Sequence, residues 1–211
     1  PHSLADLLGR DSVYGPGTQI YDGDPWSLMG GGNRQFNAPA KHTLGWLPES
    51  SIAELESNTI VRLYAYDVPR LTEDGIHALR ITRDEVRTYW LQYRVSDQRN
   101  QWSPGGDSFI DLMGEQKDIP PLLDHWSRNG LQLLMQDAGS LSKLLDASPG
   151  SAGGVLDSPL MIGRTFVEQS IGLHVTPVAQ SEDGEEVPWI DVVVNVGAYE
   201  GNQPPVLELS A

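Results

Sequence analysis

Apolar and polar residues alternate along much of the middle of this chain. Thr59-Ile-Val-Arg-Leu-Tyr-Ala-Tyr66 is β-branched and aromatic, and His77-Ala-Leu-Arg-Ile-Thr82 and Thr88-Tyr-Trp-Leu-Gln-Tyr-Arg-Val95 alternate for several steps. Further strands are predicted at Gly130–Met135, Leu160–Phe166, Gly172–Val178 and Trp189–Val196. A period of two puts one face of a strand in a core and the other in water. Many short strands split by turn residues point to an antiparallel β-sandwich over residues 58–199. Between Asp97 and Arg128 the alternation lapses. Trp102-Ser-Pro-Gly-Gly-Asp107 and Ile119-Pro-Pro121 read as a long excursion, with one short helix predicted near Leu122–Trp126.

Residues 1–57 show a different pattern. Tyr14-Gly-Pro-Gly17, Asp22-Gly-Asp-Pro-Trp26 and Met29-Gly-Gly-Gly32 are too rich in glycine for regular structure and imply turns. One helix is expected after them: Asn37 can cap it, Pro39 fits its first turn and Gly45 ends it. The tail, residues 200–211, holds Pro204 and Pro205 and reads as an extended linker. It is similar to the opening strand of the immunoglobulin-like or PKD-like modules of bacterial surface proteins, which makes such a neighbouring domain an expected partner in a longer chain.

Composition narrows the function classes. The formal net charge of −15 lacks the basic footprint of a nucleic-acid binder and opposes adhesion to anionic lipid. Cysteine is absent, which removes disulfides, thiolate metal ligands and cysteine nucleophiles together. No segment reaches the roughly 18 apolar residues of a membrane span, so no membrane insertion is expected. The chain opens Pro1-His2-Ser3 without an initiator Met, as expected of an excised or processed piece.

Most isolated motifs have ordinary structural readings. Asp22 and Asp24 beside glycine suit a polar turn, with Ca2+ binding as the functional alternative. Glu182-Asp-Gly-Glu-Glu186 reads as a solvated hairpin loop. His42, His77, His125 and His174 lack ligand spacing, and Trp90, Trp126 and Trp189 read as core anchors. Neither a G-x-S-x-G elbow nor a phosphate-binding loop after a strand is present.

His2, the run Tyr21-Asp-Gly-Asp-Pro-Trp-Ser-Leu-Met29-Gly30, and the run Phe36-Asn-Ala-Pro-Ala-Lys-His-Thr-Leu-Gly-Trp46-Leu47 carry a stronger signal through their order. Together they resemble the metzincin metalloproteases, most closely the gametolysin-type family. There, H-E-x-x-H-x-x-G-x-x-H supplies three histidines to zinc, a G-D-P-x-x-x-M-G stretch forms the Met-turn, and F-N-A-x-x-K-x-x-L-G-W-L follows. The resemblance implies that His2 is the last zinc histidine and Met29 the Met-turn methionine. It places Gly30, Gly31 and Gly32 beside the wall of the primary specificity pocket, and makes Phe36–Leu47 the helix closing the catalytic domain. Ser27 departs from the family, where an acid is common. The first two histidines and the general-base glutamate would precede residue 1.

Weaker likenesses continue downstream. Tyr89-Trp-Leu-Gln-Tyr-Arg94 is similar to the family's Y-[WL]-L-E-Y-R strand, with Gln92 replacing the acid, and Leu144-Leu-Asp-Ala-Ser-Pro-Gly150 to its L-L-D-x-x-P-G turn. Leu160–Phe166 and Gly172–Val178 are similar to a following strand pair.

The resemblance implies a zinc enzyme in which three protein ligands leave one position for water. The metal lowers that water's pKa to about 7 and a glutamate takes its proton. The expected fold is therefore mainly β: an antiparallel sandwich preceded by a loop-rich remnant of an α+β catalytic domain. The expected function is that of a secreted or cell-surface bacterial zinc endopeptidase acting on protein or peptide, whose 211-residue piece is inactive alone. The competing expectation is a non-catalytic β-sandwich binding module.

Overall fold

The computed structural model describes residues 4–6, 19–21, 24, 26–28, 35–55, 57–68, 71–95, 108–110, 116–118, 130–137, 142–148, 157–182 and 185–197. The elements in chain order are β1 (Leu4–Asp6), β2 (Gln19–Tyr21), α1 (Ala38–Thr43), a 3-10 turn (Glu49–Ser51), β3 (Ile52–Glu54), β4 (Thr59–Tyr64), β5 (Ala78–Thr82) and β6 (Arg87–Tyr93). They continue as β7 (Ser108–Ile110), β8 (Gln116–Asp118), β9 (Gly130–Asp137), β10 (Ser142–Leu145), β11 (Leu160–Met161), β12 (Phe166–Glu168), β13 (Leu173–Gln180) and β14 (Trp189–Asn195). The chain is mainly β.

A large sheet runs β2-β1-β10-β9-β6-β5-β3, with β11 also paired to β9; a smaller one runs β12-β13-β14-β4; β7 and β8 form a separate ribbon. The large sheet is mixed rather than purely antiparallel, because β1 lies parallel to β10 and β3 parallel to β5.

The two sheets share one core. Leu63, Phe166, Val175, Ile190, Val192 and Val194 of the small sheet meet Leu79, Ile81, Tyr89, Leu91, Leu131 and Leu133 of the large one. On β14 the burial alternates strictly, with Ile190, Val192 and Val194 inward, as a one-faced strand requires. β6 and β9 behave differently: successive residues are buried on both faces, from Tyr89 to Tyr93 on β6 and from Gly130 to Met135 on β9. Their Tyr89, Leu91, Leu131 and Leu133 face the small sheet, and their Trp90 and Leu134 pack with Ala38, Leu47, Ile52, Tyr66 and Ala78. The large sheet is thus covered on both faces, one cover being the small sheet and the other α1 with its flanking segments.

Two predicted strands need revision. Leu160–Phe166 is not continuous. Gly163 takes a φ of 80°, which side chains rarely adopt, and its turn sends β11 to the large sheet and β12 to the small one. Thr59–Tyr66 ends as a small-sheet strand at Tyr64; beyond it the Tyr66 N–H donates to the Tyr93 carbonyl of the large sheet at 3.2 Å. Strands β3 and β10 are additions, as are β1, β2 and the β7–β8 ribbon inside the 97–128 stretch. Leu144 and Leu145, read as part of a turn, belong to β10, and the turn follows at Asp146–Ser148.

The helix forms where expected. Asn37 Oδ1 accepts the Ala40 N–H at 3.1 Å, Pro39 sits in the first turn, and Gly45 has a φ of 72° just past the end. The helix predicted near Leu122–Trp126 and the tail at residues 200–211 lie outside the described residues. No helix among the described residues is long and apolar enough to cross a membrane.

Candidate functional site

His2, Met29, Gly30, Gly31 and Gly32 all lie outside the described residues, and so do Asp22, His125 and Trp126. The residues flanking the Met29–Gly32 stretch are described, and they form a buried polar network. The Leu28 N–H donates to the Gln35 carbonyl at 3.4 Å, which brings together residues on either side of Met29–Gly32.

Before Leu28, Asp24 makes a tight turn. Its carboxylate accepts the Trp26 N–H at 3.0 Å and its carbonyl accepts the Ser27 N–H at 3.2 Å. Asp24, Trp26 and Ser27 are all buried. Burial pushes the Asp24 carboxyl above its ordinary range, opposed by the charge of Arg94 and by hydrogen bonds that include one from Asn37.

Arg94 ties this turn to the sheet. It extends β6 in phase with Trp90 and Gln92, so it points to the α1 side. Its guanidinium donates to the Trp26 carbonyl and to Asp67 Oδ2, the latter at 3.2 Å. Asp67 Oδ1 accepts the Val95 N–H at 3.0 Å, and its carbonyl accepts from Gln35 Nε2 at 3.1 Å. Both members of the pair are buried.

The helix is fixed by the same device. Gln92 Oε1 accepts the Ala38 N–H at 2.7 Å, while Gln92 Nε2 donates to Gln132 Oε1 at 2.7 Å and to the Tyr66 hydroxyl at 3.1 Å. Asn37 Nδ2 donates to Ser142 Oγ at 2.8 Å. Lys41 donates to Gln35 Oε1 and, at 2.8 Å, to the Tyr66 carbonyl. Burial lowers the Lys41 pKa to about 8; Asp67 acts against that and Arg94 adds to it. Next to Lys41 is an open pocket of about 470 Å³, walled by Leu28, Phe36, Trp46, Tyr66, Val68 and Leu71. Phe36 and Trp46 meet edge to face at 5.4 Å, and Trp46 is 59% exposed.

The histidines are separate. His42 Nε2 lies 3.3 Å from Glu49, and His77 is buried with Nδ1 3.0 Å from the Ala65 carbonyl. His174 is on β13. Among the described residues no three His, Asp or Glu side chains gather closely enough to hold a metal. The described residues alone therefore do not fit a zinc ion. Trp90 is a core residue as expected, whereas Trp189 is half-buried with the Arg62 guanidinium 3.7 Å above its ring.

Gln35 and Asp67 carry no motif and are not legible as site residues. Arg94 had a signal, since a charged residue in phase with the buried Trp90 and Gln92 must find a partner. No family model, curated protein or solved structure matches the chain.

Proposed function

We propose that this chain is the C-terminal part of a secreted or cell-surface bacterial zinc metalloendopeptidase of gametolysin type, joined to the β-rich region that supports it. His2 would supply one zinc ligand, Met29 the apolar floor beneath the metal, and Gly30–Gly32 the neighbouring pocket wall. Protein or peptide is the substrate. Zinc, the implied cofactor, needs two further histidines from residues preceding Pro1, because a catalytic zinc site takes three protein ligands.

What supports this reading is the attachment of the two most distinctive segments to one sheet. The turn at Asp24–Leu28 leads into Met29 and is held by Arg94, and Phe36–Leu47 is held by Gln92, Ser142 and the Tyr66 carbonyl. A loop anchored this firmly at both ends suits a site that must hold its geometry. The pocket beside Lys41 is apolar and partly aromatic, which suits an apolar substrate side chain.

The coding sequence preceding Pro1 tests the proposal. H-E-x-x-H-x-x-G-x, placed so that Pro1 and His2 complete the motif, is the expected finding. A sequence lacking the glutamate or either histidine would favour the non-catalytic binding module instead.

A further inference from the structure

Lys41 stands in the wall of the open pocket with its charge only partly met. An ammonium group carries three N–H donors. Two of those on Lys41 go to Gln35 Oε1 and, at 2.8 Å, to the Tyr66 carbonyl, and the third has no partner among the described residues. Both acceptors are neutral, and the Tyr66 ring, with its centroid 5.1 Å from Nζ, adds a π face but no charge. Gln35 and Tyr66 line the same pocket as Lys41, so the amine lies at the pocket wall. The charged groups that act on it are Asp67 and Arg94. Asp67 acts from a distance, while its own carboxylate oxygens accept from Arg94 and from the Val95 N–H.

The other walls are apolar. Trp46 is 59% exposed and Leu28 49% exposed, so both leave apolar surface in water that a ligand would cover. A volume of about 470 Å³ lies in the range of small-molecule sites. The fall of the Lys41 pKa to about 8 shows an ammonium that has lost hydration without gaining a carboxylate contact. An incoming carboxylate would supply that contact and accept the third N–H in a charge-assisted bond. One ammonium with one open donor suits a singly charged carboxylate better than a doubly charged phosphate, which is held by several cations or a planar guanidinium fork.

We propose that this pocket binds an apolar carboxylate, with an aromatic or branched group against Phe36, Trp46 and Leu71 and its carboxylate on Lys41. A free aromatic acid and the C-terminal residue of a peptide share that chemistry. The site goes beyond the zinc reading and does not depend on it, because residues 28–71 of this chain build the pocket by themselves. The formal net charge of −15 repels anions from most of the surface, so carboxylate binding reports on a local cation.

The test is calorimetric titration of the metal-free 211-residue chain with N-acetylphenylalanine and with its neutral amide. The acid should bind with a dissociation constant on the order of 10⁻⁴ M, and about tenfold more tightly than the amide. Its affinity should fall at least about tenfold between pH 7 and 9.5 as Lys41 loses its proton, while the amide's stays constant. Lys41→Met should remove the preference for the acid, and Trp46→Ala should weaken acid and amide alike. The tripeptide Ala-Ala-Phe separates the two sources: tighter binding than the acetylated residue assigns the pocket to a peptide C-terminus, and equal binding to a free acid. No binding of the acid, or equal binding of acid and amide, would overturn the proposal. So would an acid affinity unchanged in folded Lys41→Met. The acid–amide comparison needs no variant, so it decides the matter even where a substitution prevents folding.

Discussion

The side-chain oxygen of Gln92, on β6, accepts the backbone N–H of Ala38, the first residue of α1, at 2.7 Å across 54 positions of sequence. A helix leaves its first N–H groups without internal partners. Here one of them is met by the sheet beneath, and the helix is thereby docked in a fixed register. Gln92→Ala leaves that buried donor unpaired and should cost about 1–3 kcal/mol in a urea melt. Gln92→Glu keeps the acceptor. It also faces Gln132, whose Nε2 has no partner among the described residues and can turn towards the new carboxylate. The glutamate variant should therefore lose less stability than the alanine variant.

Arg94 and Asp67 are a buried ion pair, and removing one member strands the other charge. Arg94→Ala or Asp67→Ala should each cost about 3–5 kcal/mol by equilibrium denaturation. The double variant should cost less than the two single losses added together, because neither charge is then left alone. Arg94→Lys should restore only part of the loss, since an ammonium cannot span Asp67 and the Trp26 carbonyl as a planar fork does.

Glu168 on β12 joins the two sheets. Tyr89 of β6 donates its hydroxyl to Glu168 Oε2 at 2.8 Å, and Arg83 reaches the same oxygen at 3.3 Å. Burial pushes the Glu168 carboxyl up, but bonds from Ser170, Tyr89 and Arg83 outweigh it and hold the pKa below the usual range. A lowered folded pKa means stability that is present above the unfolded value and lost as pH falls through the folded one. Tyr89→Phe should cost about 1.5–3 kcal/mol at neutral pH. It should also move the acid loss of stability to higher pH, as read by melts between pH 2 and 6.

Lys41 gives the opposite limb. Its folded pKa of about 8 lies below the ordinary lysine value of 10.5, so between those values the unfolded chain holds more protons. This group's contribution to stability therefore rises with pH from about 8 to 10. Above about pH 10 Tyr89 opposes it, because burial and Glu168 raise the tyrosine pKa and the native state keeps that proton. Melts of the wild type and Lys41→Met across pH 7–10 should show the gap between them changing in the wild type's favour.

Local pattern and long-range partners were not equally legible. The inward Ile190, Val192 and Val194 and the Asn37–Gly45 helix signals depend on neighbours a few residues apart, and they appear where the sequence puts them. The break at Gly163 was missed because a single glycine within an apolar run does not announce a change of sheet. β10 was missed because four residues, two of them apolar, are too few to show a period. The Gln35–Asp67–Arg94 network joins residues far apart in the chain, and only the phase of Arg94 on β6 hinted that a buried partner existed. For the candidate site, order of motifs was the whole signal. It named His2 and Met29, but not the residues that anchor the segments around them.

Zinc content tests the central claim most directly. The protein would be produced with the residues that precede Pro1 in its gene, as wild type and as His2→Ala, and assayed for bound zinc and peptide cleavage. The account predicts one tightly held zinc and peptidase activity in the lengthened wild type, both lost in His2→Ala, and neither in the 211-residue chain alone. A lengthened protein that keeps its zinc and activity without His2, or peptide cleavage by the 211 residues alone, would contradict it.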